Sequence, residues 1–305
     1  MRARSIGVTA LVAGILIVTE VAIAGTAVEV INTPRNDFMG TAEDGYLAFA
    51  QSRVGKPNRT DVYLKPPGEA KFKVNAAGTT AFYPNVEIGD LTYGDRLVFA
   101  QRVSGNTNIK IWDVDAGTPV NTPAGINTAA IESKPSLSGD HLFFGRGPDE
   151  GGGYMTRLFL YDFVADETHP IARAPRNGII FPGTVNGDWL SWTQCSPTDC
   201  RAYRHQISTD NDQEVPTTGR LVYTSAVDQD GVVWYVQSGI GCGANVKLRR
   251  HEVGVGAATI IDLAEGIDAN VSDLDDTDAK DRQLYFDRVR CTNVNNWAIW
   301  RVDAD

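Results

Sequence analysis

The sequence predicts an all-β fold: six blades of four antiparallel strands closed into a ring, a six-bladed β-propeller. Three observations predict it. One hairpin phrase recurs six times, each copy is followed by further strands of the same kind, and the two chain ends hold complementary parts of one blade.

The hairpin cores are Asp44-Gly45-Tyr46-Leu47-Ala48-Phe49, Gly94-Asp95-Arg96-Leu97-Val98-Phe99 and Gly139-Asp140-His141-Leu142-Phe143-Phe144. They recur as Gly187-Asp188-Trp189-Leu190-Ser191-Trp192, Asp230-Gly231-Val232-Val233-Trp234-Tyr235 and Asp281-Arg282-Gln283-Leu284-Tyr285-Phe286. Copies lie roughly 43 to 50 residues apart, a spacing typical of propeller blades. In each, turn residues precede apolar residues at alternate positions, the period of a strand. The recurring aromatics Phe49, Phe99, Phe144, Trp192 and Phe286 are expected to pack between blades.

A second alternating strand follows each core after a polar loop: "DVYLK", "NIKIWDVD", "RLFLYDF", "RAYRHQI", "VKLRRHEV" and "WAIWRVD". A short outer strand comes next in most copies: "KFKV", "TPVN", "HPIA", "EVP" and "TIIDL". The sixth copy stops at Asp305 without one. The spare segment "AVEVINT" (27–33) precedes the first hairpin and is expected to complete the last blade, closing the ring and protecting strand edges that an open array would leave unpaired. Blades are expected at roughly 35–76, 82–122, 130–173, 178–217, 220–263 and 267–305 of one domain spanning residues 25–305.

Residues 1–24 read as an export signal. Met1-Arg2-Ala3-Arg4 is a basic start, Ile6 to Val18 is apolar, and Ala22-Ile23-Ala24 fits the small-x-small rule for cleavage after Ala24. The alternative is an uncleaved anchor, against which Glu20 shortens the apolar stretch. No other segment is long and apolar enough to span a bilayer. The expected location is therefore secreted: extracellular, or periplasmic in the cell envelope. The net charge of −10 argues against nucleic acid and anionic membrane surfaces as partners.

An oxidising compartment favours pairing the four cysteines, for which three connectivities exist. Cys195 and Cys200 bracket the turn sequence "SPTD" and are expected to staple their own loop. Cys242 and Cys291 remain; they fall in corresponding loops of blades five and six, where a bridge is sterically reasonable. Zinc is the alternative, but this spacing suits it poorly.

The stretch "KPSLSGDHLFFG" followed by "RLFLYDF", and "GDRLVFA" followed by "NIKIWDVDAG", resemble the repeats of the TolB-like β-propeller family. Those repeats read as Pro-x-hydrophobic-Ser-x-Asp-Gly or Gly-Asp, an apolar strand, then a strand ending in Asp and a turn. The resemblance covers nearly all of the chain after the leader and concerns architecture. It is clearest in blades two and three; in blades four to six the closing Asp is replaced by Gln206, Arg250 or Arg301. It implies six blades and, since family members are mostly interaction modules, a binding role.

No dinucleotide, P-loop, G-x-S-x-G or HExxH motif occurs. His141, His169, His205 and His251 form no metal-binding pair. "SDLDDTDAKDR" (272–282) supplies the oxygens of Asp273, Asp275, Asp276 and Asp278 but lacks the turn glycine of a calcium loop. It is read as an extended hairpin turn, with calcium as the alternative; no other cofactor is expected. Candidates at the channel mouth are Asp37, Glu87, Glu132, Lys134, Asp268 and Asn270. Long loops on a rigid scaffold collect function, which singles out Gly145 to Arg157, with Asp149, Glu150 and Tyr154 as binding candidates. The expected function is non-catalytic binding of an envelope or extracellular protein, or of a glycan, through the loop-rich face. The alternative is a secreted glycan hydrolase or lyase using channel carboxylates.

Overall fold

The structure, a computed structural model, describes residues 27–89, 94–147, 155–217, 221–238, 246–256, 259–262, 267–275, 283–290 and 297–303. The expected export signal (1–24), Asp149, Glu150, Tyr154, Cys242 and Cys291 lie outside the described residues.

The chain forms six four-stranded antiparallel sheets. After β1 (Val28–Ile31), blade 1 comprises β2 (Asp37–Glu43), β3 (Tyr46–Arg53), β4 (Lys56–Lys65) and β5 (Phe72–Lys73). Blade 2 is β6 (Thr80–Glu87), β7 (Arg96–Val103), β8 (Asn106–Asp113) and β9 (Thr118–Val120). Blade 3 is β10 (Ile131–Ser138), β11 (His141–Gly147), β12 (Arg157–Asp162) and β13 (Glu167–Arg173). Blade 4 is β14 (Ile179–Asn186), β15 (Trp189–Cys195), β16 (Cys200–Gln206) and β17 (Asn211–Glu214). Its outer strand falls just ahead of the expected "EVP", because a 3-10 turn at Ile207–Thr209 brings the chain back early. Blade 5 is β18 (Leu221–Val227), β19 (Val233–Ser238), β20 (Lys247–His251) and β21 (Thr259–Asp262). Blade 6 is β22 (Ile267–Asp275), β23 (Gln283–Arg290) and β24 (Ala298–Asp303), and β1 pairs antiparallel with β24 as its fourth strand. The two chain ends thus close the ring within one sheet.

The core is distributed between the blades. Leu142 and Phe144 pack toward blade 2 with Val98 and Ile111, while the intervening Phe143 packs toward blade 4 with Leu190 and Trp192. This is the period-2 alternation of a strand buried on both faces. Phe49, Phe99, Phe144, Trp192, Tyr235 and Phe286 each belong to a cluster that joins two adjacent blades. Full burial stabilises each by about 1.5–3 kcal/mol. At the closing seam a Cβ on Gly40 would stand 2.5 Å from Ile299 Cγ2, so glycine is what lets blade 6 dock on blade 1.

The inner strands are not regular. In β2, β6, β10, β14 and β18 two residues slip out of register, forming bulges halfway along the strand. Such bulges re-aim side chains, and here they build the wall of the axis.

Candidate functional site

The bulges bring a cavity of about 210 Å³ to the ring axis. Met39, Tyr83 and Lys134 are the first bulge residues of blades 1, 2 and 3, with φ of 58°, 52° and 50°. Left-handed backbone at such residues costs about 1–3 kcal/mol each and persists only where its surroundings over-determine it. Here it is over-determined by blade-to-blade hydrogen bonds. The Val86 N–H donates to Thr41 Oγ1 at 3.2 Å, and the Leu137 N–H donates to Asn85 Oδ1 at 2.6 Å. The Val185 N–H donates to Ser136 Oγ at 3.1 Å, and the Val227 N–H donates to Thr184 Oγ1 at 2.9 Å. In β2, β6, β10 and β14 one short polar side chain therefore locks the next blade, and the bulge residues beside it turn into the cavity.

Lys134 is enclosed by protein while keeping partial exposure to solvent. Its Nζ lies 5.2 Å from the ring centroids of both Tyr83 and Phe181, within cation–π range. Burial pushes the ammonium down to about 8, and the charge of Asp287 opposes that shift. Burial, and secondarily Asp287, push the Tyr83 phenol up to about 12. Asp287 is buried, and its Oδ1 accepts the Met39 N–H at 2.7 Å. Chemically the cavity offers an amine, a carboxylate, hydroxyls and aromatic faces.

Of the channel-mouth candidates, Lys134 lines this cavity. Asp37 and Glu132 are both fully buried and face their own incoming loops instead. Asp37 Oδ2 accepts the Thr33 N–H (2.8 Å) and hydroxyl (2.7 Å), and Glu132 Oε1 accepts those of Thr128 (3.1 and 2.6 Å). Each anchors a loop as it enters an inner strand; Gln51 backs Asp37, and Arg146 backs Glu132. Glu87 accepts the Gly139 N–H at 3.0 Å and ties blade 2 to blade 3 near a hairpin turn. Asp268 and Asn270 lie in β22 opposite Val289 and Asp287 in register; their side chains are outside the described residues. Asp273 and Asp275 lie in the same strand, and 276–282 are likewise outside.

Tyr83, Phe181, Ser225 and Asp287 were not singled out by sequence reasoning. A signal existed for two of them. Tyr83-Pro84-Asn85 and Lys134-Pro135-Ser136 occupy the same repeat position. Asp287 directly follows the recurring aromatic, where blades 1 to 3 have Ala50, Ala100 and Gly145.

Antiparallel order places the second-to-third-strand hairpins of every blade on one rim. Val54 and Val103 sit at two of these tips, 75% and 51% exposed. Two depressions of about 870 and 230 Å³ lie on this rim and share Ser104 and Gly105. Arg59, Arg102, Arg146 and Arg157 line them. Arg146 pairs with Glu132, whereas Arg59, Arg102 and Arg157 form no ion pair with a described carboxylate. Cys195 and Cys200 form a disulfide across the β15–β16 hairpin on the same rim. His205 and His251 are buried and bonded, to Asp212 Oδ1 and to the Val255 carbonyl, each at 2.8 Å. Among the described residues no group of His, Cys, Asp and Glu is arranged to hold a metal, and no helix is long and apolar enough to cross a membrane.

The fold is that of a six-bladed β-propeller, and solved structures of several such proteins resemble it. A TolB from Acinetobacter baumannii superposes with a TM-score of 0.55 at 12% identity, covering 86% of this chain and 64% of its own. A protein of unknown function from Dyadobacter fermentans DSM 18053 gives 0.59 at 10% identity, covering 91% and 97%. A puromycin hydrolase S511A mutant complexed with PGG gives 0.55 at 13% identity, covering 88% of this chain and 47% of its own. The chain thus spans less than two thirds of the TolB and about half of the hydrolase. Identities this low establish the fold, shared by a TolB and a hydrolase alike. No protein-family model and no curated protein matches the sequence.

Proposed function

We propose that the chain is a binding module of the cell envelope or extracellular space that grips an acidic surface of a protein partner with the rim of blades 1 to 3. One observation carries this reading: two exposed valines at matched hairpin tips beside arginines that no described carboxylate neutralises. Arginine and apolar anchors are what protein interfaces concentrate at their centres, and on a chain of net charge −10 a basic groove is a local feature. The likeness in fold to a TolB supports an interaction role, and the Cys195–Cys200 bridge supports export through the leader.

The test places a photo-crosslinker at Val54, at Val103 and, as a control, at Val164, which is 67% exposed in the turn between β12 and β13 on the opposite rim. The expected result is one partner captured from Val54 and Val103, not from Val164, and lost in Arg59→Glu/Arg102→Glu. Equal capture from Val164, capture insensitive to charge reversal, or turnover of a glycan panel would overturn the reading.

A further inference from the structure

We propose that the axial cavity is a binding site for a small carboxylate, received by Lys134 Nζ. This goes beyond the rim and is independent of it.

Two observations point to a ligand. Lys134 Nζ faces two aromatic rings and forms no ion pair with a described carboxylate, although it is enclosed in the middle of the ring. Ser225 also lines the cavity, is 3% exposed, and its buried Oγ has no hydrogen-bond partner among the described residues. The neighbouring inner-strand groups are committed: Thr41, Asn85, Ser136 and Thr184 each accept a backbone N–H from the next blade. A buried polar group without a partner is costly, and native structures rarely carry one without a reason. The amine opens onto the cavity while the orphaned hydroxyl lies sealed in its wall, so the amine sets the complement, an acceptor group of modest charge.

Size agrees. A cavity of about 210 Å³ has the space of roughly seven waters at about 30 Å³ each. That admits a small organic acid, and the faces of Tyr83 and Phe181 suit an apolar substituent. The titratable groups lining the cavity among the described residues are Tyr83, Lys134 and Asp287. Asp287 already accepts the Met39 N–H, and Tyr83 is held neutral by burial. The group whose charge responds to a bound anion is therefore Lys134. Burial favours its neutral amine, a carboxylate favours its ammonium, and binding above pH 8 takes up a proton.

The experiment titrates acetate, succinate and benzoate, with methyl acetate and methyl benzoate as neutral controls and inorganic phosphate as a competing anion. Calorimetry in two buffers of different ionisation heat counts protons, and the ¹³Cε resonance of labelled Lys134 reports its charge. The expected result is that at least one acid binds and its ester does not. Affinity falls about tenfold per pH unit above the Lys134 pKa, as uptake of one proton requires. Lys134→Met lowers it at least about 30-fold, and Ser225→Ala, whose hydroxyl is sealed in the wall, by less than about threefold with the lysine resonance still responding. The proposal is overturned if no acid in the panel moves the lysine resonance of the wild-type protein. It is also overturned if esters or phosphate bind as well as acids, or if Lys134→Met binds as the wild type does.

Discussion

The rim end of blade 3 and its axial midpoint each bury a cation, and they treat it in opposite ways. At the rim, Arg146 Nε meets Glu132 Oε1 at 2.9 Å, while its guanidinium lies 4.3 Å from the Phe159 centroid and its NH2 group donates to the Ile126 carbonyl at 2.9 Å. At the axis, Lys134 has two aromatic faces and the more distant charge of Asp287. A buried cation with a buried carboxylate in contact is a fastener. One held by ring faces alone keeps its capacity to take a partner. The difference separates scaffold from site within a single hairpin.

The largest expected effect breaks the fastener. Arg146→Met leaves Glu132 buried without its counter-charge and should cost about 3–5 kcal/mol in denaturant unfolding at neutral pH. Lys134→Met should do the reverse. Below pH 8 both the folded and unfolded chains carry this lysine charged, so the folded state bears the full cost of burying it. Between about 8 and 10.5 the folded state has released the proton while the unfolded state holds it, and wild-type stability rises with pH. The methionine variant should therefore be more stable than wild type by about 3 kcal/mol at pH 7, the shift from 10.5 to about 8 at about 1.4 kcal/mol per unit. That advantage should vanish above pH 10.5. A variant destabilised at pH 7 would make Lys134 a fastener too, and the contrast would collapse.

A smaller effect tests the frame that both regions share. Ser136→Ala removes the acceptor of the Val185 N–H and leaves a buried donor unpaired, which costs about 1–3 kcal/mol. Hydrogen exchange should show the loss as faster exchange at Val185, at the joint between blades 3 and 4. A change spread evenly over all six blades would mean that the joints do not act locally.

The architecture was legible because the repeat states it many times. Turn residues, alternating apolar positions and a recurring aromatic agree in every copy, and the missing sixth outer strand is answered by 27–33. The axis was legible in part. Lys134 stands out as a charge in an inner strand. Asp37 and Glu132 drew attention for the same reason, yet their chemistry lies four residues upstream, in Thr33 and Thr128, which turn the carboxylates toward the loops. The pattern Thr-x-x-x-acid at a strand start carries that information, and a bare acid does not. Tyr83 and Asp287 were passed over because their convergence depends on bulges, and a bulge re-aims a side chain without leaving a mark in apolar periodicity. That Arg59, Arg102 and Arg157 meet no described carboxylate is a fact of charge spacing in three dimensions, which no linear pattern encodes.

The smallest expected effect on stability sharpens the comparison from the other side. Val54 and Val103 project from hairpin tips into solvent, so Val54→Ser with Val103→Ser removes little buried surface and should change unfolding free energy by less than about 0.5 kcal/mol. Partner capture through the rim should nonetheless fall at least about tenfold, since exposed apolar anchors gain their value only when a partner covers them. Binding and stability would then separate at the rim, whereas at the axis Lys134→Met moves both. If the serine pair instead unfolds the protein by 2 kcal/mol or more, the tips pack against something within the ring. The rim would then be scaffold, and the arginines beside it would need no partner from outside.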